Sequence, residues 1–221
     1  CTTSTLPSDA ADTVCTFVAA RSTRARQPCA GDAAAMAAKK ASTSLTTMAP
    51  VHSLFGGAIT MALDGDFMDA SEFRQVPDNQ EVLLSGDTNI SVILEVLQQV
   101  ADGTDPPAMD KAVRYHYDSI ANDNDATDVH VDWVDAPTGQ APENTTPRPS
   151  LLHGTQKVKK FGKATEEDTV HIWVAVWRLP NKKVDLVLSR NDPAPKDVDA
   201  ESSAFRATAG SLRIVDWNLF A

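Results

Sequence analysis

Apolar residues between positions 51 and 221 fall into short blocks, and the spacing inside each block predicts an element. "HSLFGGAITMAL" (52–63) reads as two short strands around Gly56-Gly57, a dipeptide suited to a tight hairpin. The polar stretch "DGDFMDASEFRQVPDNQ" follows, with Pro77 and Asp78 marking a turn. Pro77 also pushes Val76 away from helical geometry, so any helix begun near Asp69 ends there. "EVLLS" (81–85) predicts a strand closed by Gly86-Asp87. Over 88–101, Ile90, Ile93, Leu94, Leu97, Val100 and Ala101 recur at helical spacing behind Thr88 or Asn89, which predicts a capped helix. A second helix after "DGTDPP" places Met109, Ala112, Val113, His116 and Ile120 on one side, with Pro107 in its first turn.

Strict alternation in "DVHVDWV" (128–134) predicts a half-exposed strand. The Pro-rich, aperiodic "DAPTGQAPENTTPRPS" (135–150) reads as a long loop or insert. Three further strands are expected at 152–161, 169–179 and 184–190. The middle one, "TVHIWVAVWRL", is apolar at both parities, the mark of a strand covered on both faces. "PNKK" supplies the turn after it, 199–212 predicts a weaker helix, and "RIVDWNLFA" a final strand or docked tail. Hairpins interrupted by helices argue for an α+β fold, a mainly antiparallel sheet with helices packed on its faces. Residues 51–221 read as a single domain, and residues 1–50, rich in Ala, Ser and Thr, as a disordered or non-native segment.

Charge changes the picture. The chain carries −10 overall, but residues 51–221 carry 15 basic and 27 acidic side chains, a net −12. Such a surface argues against nucleic acid, which needs clustered Lys and Arg. No apolar run approaches the ~18 residues of a membrane-spanning helix. All three cysteines lie at positions 1, 15 and 29, so residues 51–221 offer neither a disulfide framework nor a thiolate metal site. Phosphate-loop, dinucleotide, zinc-protease and hydrolase signatures are absent. The five histidines (52, 116, 130, 153, 171) are scattered along the chain, and His116, on an apolar helix face, reads as a satisfied core residue. "NDNDATDVHVD" fails as a calcium loop, since its sixth and twelfth positions from Asp123 are Asp128 and Val134. No cofactor or metal is expected. What stands out is ten acidic residues between Asp64 and Asp105 against the single base Arg74. A solvated face explains this, and so does a docking surface for a basic partner.

"LFGGAITMAL", "FMDASEFRQVPDNQEV", "HIWVAVWRL" and "IVDWNLFA" resemble, in that order, the Ran guanine nucleotide release factor family, the Mog-type nuclear import proteins. The resemblance spans about residues 51–221, and "R-x-V-P-D-x-Q-E-V" is its most specific part. It implies an α/β/α sandwich around a mainly antiparallel sheet, a fold similar to the PsbP proteins. It further implies a non-enzymatic regulator of the small GTPase Ran that promotes nucleotide release and supports nuclear import, in nucleus and cytoplasm. A second Ran-binding protein is a further partner to consider. The family's acidic Ran-binding patch maps onto Asp78 and Glu81, with Asp69, Glu72, Arg74 and Gln80 as neighbours. The rival reading is a trafficking or scaffold adaptor that uses the same acidic surface for another protein.

Overall fold

Antiparallel pairing organises the chain from its first hairpin onward. The computed structural model describes residues 49–100, 108–138, 142–160 and 163–221. The expectation for residues 1–48, and those for Ala101 and Pro107, lie outside the described residues. Strands β1 (Val51–Leu54) and β2 (Ile59–Ala62) form the predicted hairpin. Its turn holds Phe55, Gly56 and Gly57 at φ of 49°, 64° and 94°, left-handed backbone that glycine adopts without strain.

A seven-stranded sheet contains β3 (Phe67–Asp69), β4 (Gln80–Ser85), β5 (Ser91–Gln98), β6 (Asp128–Asp135), β7 (Ser150–Lys160), β8 (Lys163–Leu179) and β9 (Val184–Asp192). Its order is β3-β4-β5-β9-β8-β7-β6, antiparallel throughout. Helix α1 (Met109–Asp123) covers one face through Val113, Tyr117 and Ile120, which pack on Ile172, Val174, Val176 and Val187. Helix α2 (Val198–Ser211) and the β1-β2 hairpin cover the other, where Phe205, Ile59 and Met61 meet Trp173, Trp177, Leu186 and Leu188. Successive residues of β8 thus serve opposite cores, which is why its sequence is apolar at both parities. The tail adds β10 (Arg213–Ile214) to β2 and docks Phe220 into the α2-side core. These layers make the expected α/β/α arrangement.

The predicted helix at 88–101 is instead strand β5. Ser91 to Leu94 are all buried between β4 and β9, with Val92 and Leu94 toward α2 and Ile93 toward the opposite face. An apolar run buried on both sides also fits the helical template, so periodicity cannot separate the two. The β-branched Val92, Ile93 and Val96 and the eight-residue length suit a pleated central strand. Only one helix therefore stands between β5 and β6 among the described residues. Strand β3 is an addition, hidden in a segment read as polar loop. The last helix, expected as a weaker one over 199–212, runs Val198–Ser211 behind an Asp197 cap that accepts from the Asp199 and Ala200 amides.

Candidate acidic docking corner

The acidic motif is built where β3 hands the chain to β4. Asp69 ends β3, and its carboxylate accepts from the Ser71 amide at 2.8 Å, capping the short 3₁₀ turn Ala70–Glu72. Ala70 is buried, and its carbonyl accepts from both Phe73 and Arg74 amides at 3.0 Å. Val76 packs back onto the Ala70–Val82–Ile93 cluster. Pro77 then opens a turn closed by the Gln80 amide at 2.9 Å, with Asp78 exposed at its tip. Asn79 fastens this turn to β5: its carbonyl accepts from Val96 N–H at 2.9 Å, and its side-chain amide donates to the Val96 carbonyl. Both ends and the middle of the segment are pinned.

The six predicted residues share this corner but differ in exposure. Asp78 and Glu72 are exposed, while Asp69, Arg74, Gln80 and Glu81 are half-buried. Glu81 does more than project, because its carboxylate accepts the Phe55 N–H from the β1-β2 turn. Burial raises the Glu81 carboxyl and the Asp69 charge adds to this, against the Phe55 hydrogen bond that lowers it; the net direction is up. Glu81 therefore also ties the β1-β2 turn to β4. The left-handed turn aims that amide across 26 residues of sequence, a connection invisible to local pattern. Gln80 points to the other face and donates to Glu95, its cross-strand partner, at 2.6 Å. Sequence reasoning passed over one member of the corner, Phe73, although it lies inside the quoted motif.

Glu95 lies beneath α1, and burial raises its carboxyl, helped by the Asp123 charge and opposed by the Gln80 hydrogen bond and His116. A carboxyl raised in the fold contributes stability below its unfolded value that is lost as pH rises through the folded one. Glu95→Gln keeps an acceptor for Gln80 and removes the buried charge. It should stabilise the protein at pH 8 by on the order of 1 kcal/mol, with the gain shrinking toward pH 4, as read by urea unfolding.

Histidines that looked scattered converge. His153 Nδ1 lies 3.1 Å from Asp132, His153 Nε2 lies 3.2 Å from His171 Nδ1, and His130 lies 3.4 Å from the other Asp132 oxygen. They meet because β6, β7 and β8 are neighbours. The ring nitrogens of His153 are engaged by Asp132 and His171, and its face stacks on Trp173. Among the described residues no group of three or more His, Cys, Asp or Glu is placed to hold a metal ion. His116 is the satisfied core histidine expected, buried 3.0 Å from Asp185.

The family described as Ran-interacting Mog1 protein matches residues 52–193. The chain belongs to that family. A Ran guanine nucleotide release factor from Danio rerio is 32% identical over 171 residues, covering 75% of this chain and 87% of that protein. The nuclear import protein mog1 of Schizosaccharomyces pombe is 36% identical over 157 residues, covering 68% and 80% respectively. The crystal structure of the Ran-binding protein Mog1p from Saccharomyces cerevisiae superposes with a TM-score of 0.62 at 26% identity, covering 79% of this chain and all of that one. The Mog1 match ends at Pro193, so α2 and the tail, which complete the second core, lie beyond the matched span.

Proposed function

We propose that this chain binds Ran through the corner built by Asp69, Glu72, Arg74, Asp78, Gln80 and Glu81, and that binding promotes guanine nucleotide release in support of nuclear import. It acts between nucleus and cytoplasm as a regulator, with no bond-making chemistry of its own. The observation that carries this reading is the rigid, exposed Asp78 turn within a segment of ten acidic residues, in a member of the Ran-interacting Mog1 family. Charges already held by a turn lose little entropy on docking. If nucleotide-free Ran is bound more tightly than loaded Ran, nucleotide affinity falls by the same factor. A coupling of ~3 kcal/mol would be about 150-fold.

Because Glu81 also ties the β1-β2 turn to β4, reversing its charge would confound binding with folding. Asp78→Lys is the cleaner test. It should weaken Ran binding by about 10- to 100-fold and flatten the dependence of on-rate on salt, with an unchanged melting temperature. The same variant should lose acceleration of labelled GDP release from Ran. Wild-type affinity in Asp78→Lys would remove the site, and Ran binding without any faster release by the unsubstituted protein would favour the adaptor reading.

A further inference from the structure

The same corner carries an aromatic side chain that the charge argument does not use. Phe73 is 66% exposed. Among the described residues, the other large apolar or aromatic side chains left exposed are Val51, Tyr115, Val129 and Val215. None of those lies between Asp69 and Glu81. Phe73 sits directly after Glu72 and five residues before Asp78, so acidic side chains flank it on both sides in the loop.

We infer that Phe73 is the apolar anchor of this interface, a ring that enters an apolar recess on Ran whose rim carries Lys or Arg side chains. The inference rests on the reading that the corner is the Ran-binding surface. Two physical features support it. Its backbone is fixed: the Phe73 amide donates to the buried Ala70 carbonyl at 3.0 Å, the next amide donates to the same oxygen, and Val76 closes the loop onto the core. A ring on a fixed backbone has only two side-chain torsions to lose, which makes it a low-entropy contact. The surroundings also divide the work. Exposed Glu72 and Asp78 supply long-range attraction for a basic surface but little once desolvated, whereas an aromatic group buried at the centre resists dissociation. One exposed aromatic in a loop with Glu72 before it and Asp78 after it, beside the half-buried Arg74, fits a partner patch that is apolar within and mainly basic at its edge. Lys and Arg stems also cover apolar surface while their heads reach carboxylates.

The two contributions separate in kinetics. With the full chain and purified nucleotide-free Ran, Phe73→Ala should raise the dissociation rate by about 10- to 50-fold, leaving association rate and its salt dependence as in the unsubstituted protein. Asp78→Lys should act mainly on association. Phe73→Leu, which still fills an apolar recess, should recover most of the lost residence time. Tyr115→Ala, an exposed aromatic on α1, should dissociate at the original rate. Dissociation of Phe73→Ala at the original rate, with Asp78→Lys still weakened, overturns the anchor and leaves the acidic site standing. Original rates in both variants overturn the two together. A weakened Phe73→Ala beside an unaffected Asp78→Lys supports the anchor and removes the electrostatic reading.

Discussion

Asp185→Asn should destabilise the protein by about 3–5 kcal/mol, a cost typical of breaking a buried ion pair from one side. Asp185 is wholly buried on β9, and both of its oxygens are used. One accepts from Arg178 Nε at 2.9 Å. The other accepts from the Val100 amide at 3.1 Å and stands 3.0 Å from His116 Nε2 and 3.2 Å from a second Arg178 nitrogen. A carboxylate can only accept, so His116 Nε2 carries the hydrogen between them. The group joins α1, β8, β9 and the chain end of β5 at one point. Asparagine keeps the shape but removes the charge that accepts from Arg178 Nε and faces His116 Nε2.

The same contacts set a pH dependence. Burial alone would raise the Asp185 carboxyl, but the His116, Arg178 and Val100 hydrogen bonds and the Arg178 charge outweigh it, and the net direction is down. A carboxyl lowered in the fold contributes stability that is present above its unfolded value, about 3.9, and is lost as pH falls through the folded one. Urea midpoints measured from pH 7 to pH 2 should therefore drop steeply below about pH 4 in the unsubstituted protein. The Asp185→Asn curve should start lower and fall less. Parallel curves would mean that Asp185 does not couple to folding in this way.

Gly154→Ala should be nearly as damaging, about 3 kcal/mol or more, through overpacking that has no room to relax. A Cβ at Gly154 would stand 2.2 Å from the His130 carbonyl oxygen and 2.5 Å from the Tyr117 hydroxyl. Neither can give way. His130 belongs to the paired strand β6, one step from the register shift between Val131 and Trp133. Tyr117 is fully buried on α1, with its hydroxyl 2.9 Å from both the His130 and Thr155 carbonyls. The glycine is what lets α1 seat a tyrosine against the β6-β7 pair. Tyr117→Phe in the Gly154→Ala background should recover only part of the loss, because the backbone oxygen remains. A thermal melt of Gly154→Ala within a degree or two of the unsubstituted protein would contradict the close approach.

The Asp185 cluster stands away from the acidic corner yet reaches it through the sheet. Val100 follows β5, and β5 holds the Asn79 turn through Val96. A loosened Asp185 cluster should therefore soften the mount of Asp78 without touching it.

Much of this was legible in the residues themselves. Alternation announced β6, double-sided apolarity announced β8, and the spacing of Ala112, Val113, His116 and Ile120 announced α1 and its buried face. Pro77 and Asp78 specified a turn that the structure contains, and the motif around them carried the family resemblance. These are features whose cause lies within a few positions along the chain: side-chain period, ring constraint, turn chemistry.

Tertiary structure alone decided the rest. Whether residues 91–98 coil or extend depended on β9, some 90 positions later, offering a hydrogen-bonding edge on one side while β4 offered another. The Glu81 tie to Phe55, the meeting of His153 with His171, and the Asp185 cluster each join groups distant in sequence. Nor could composition tell that Phe73, unlike Phe205 or Phe220, stays in solvent. Period records which face a residue takes, but only the folded chain determines what stands opposite that face.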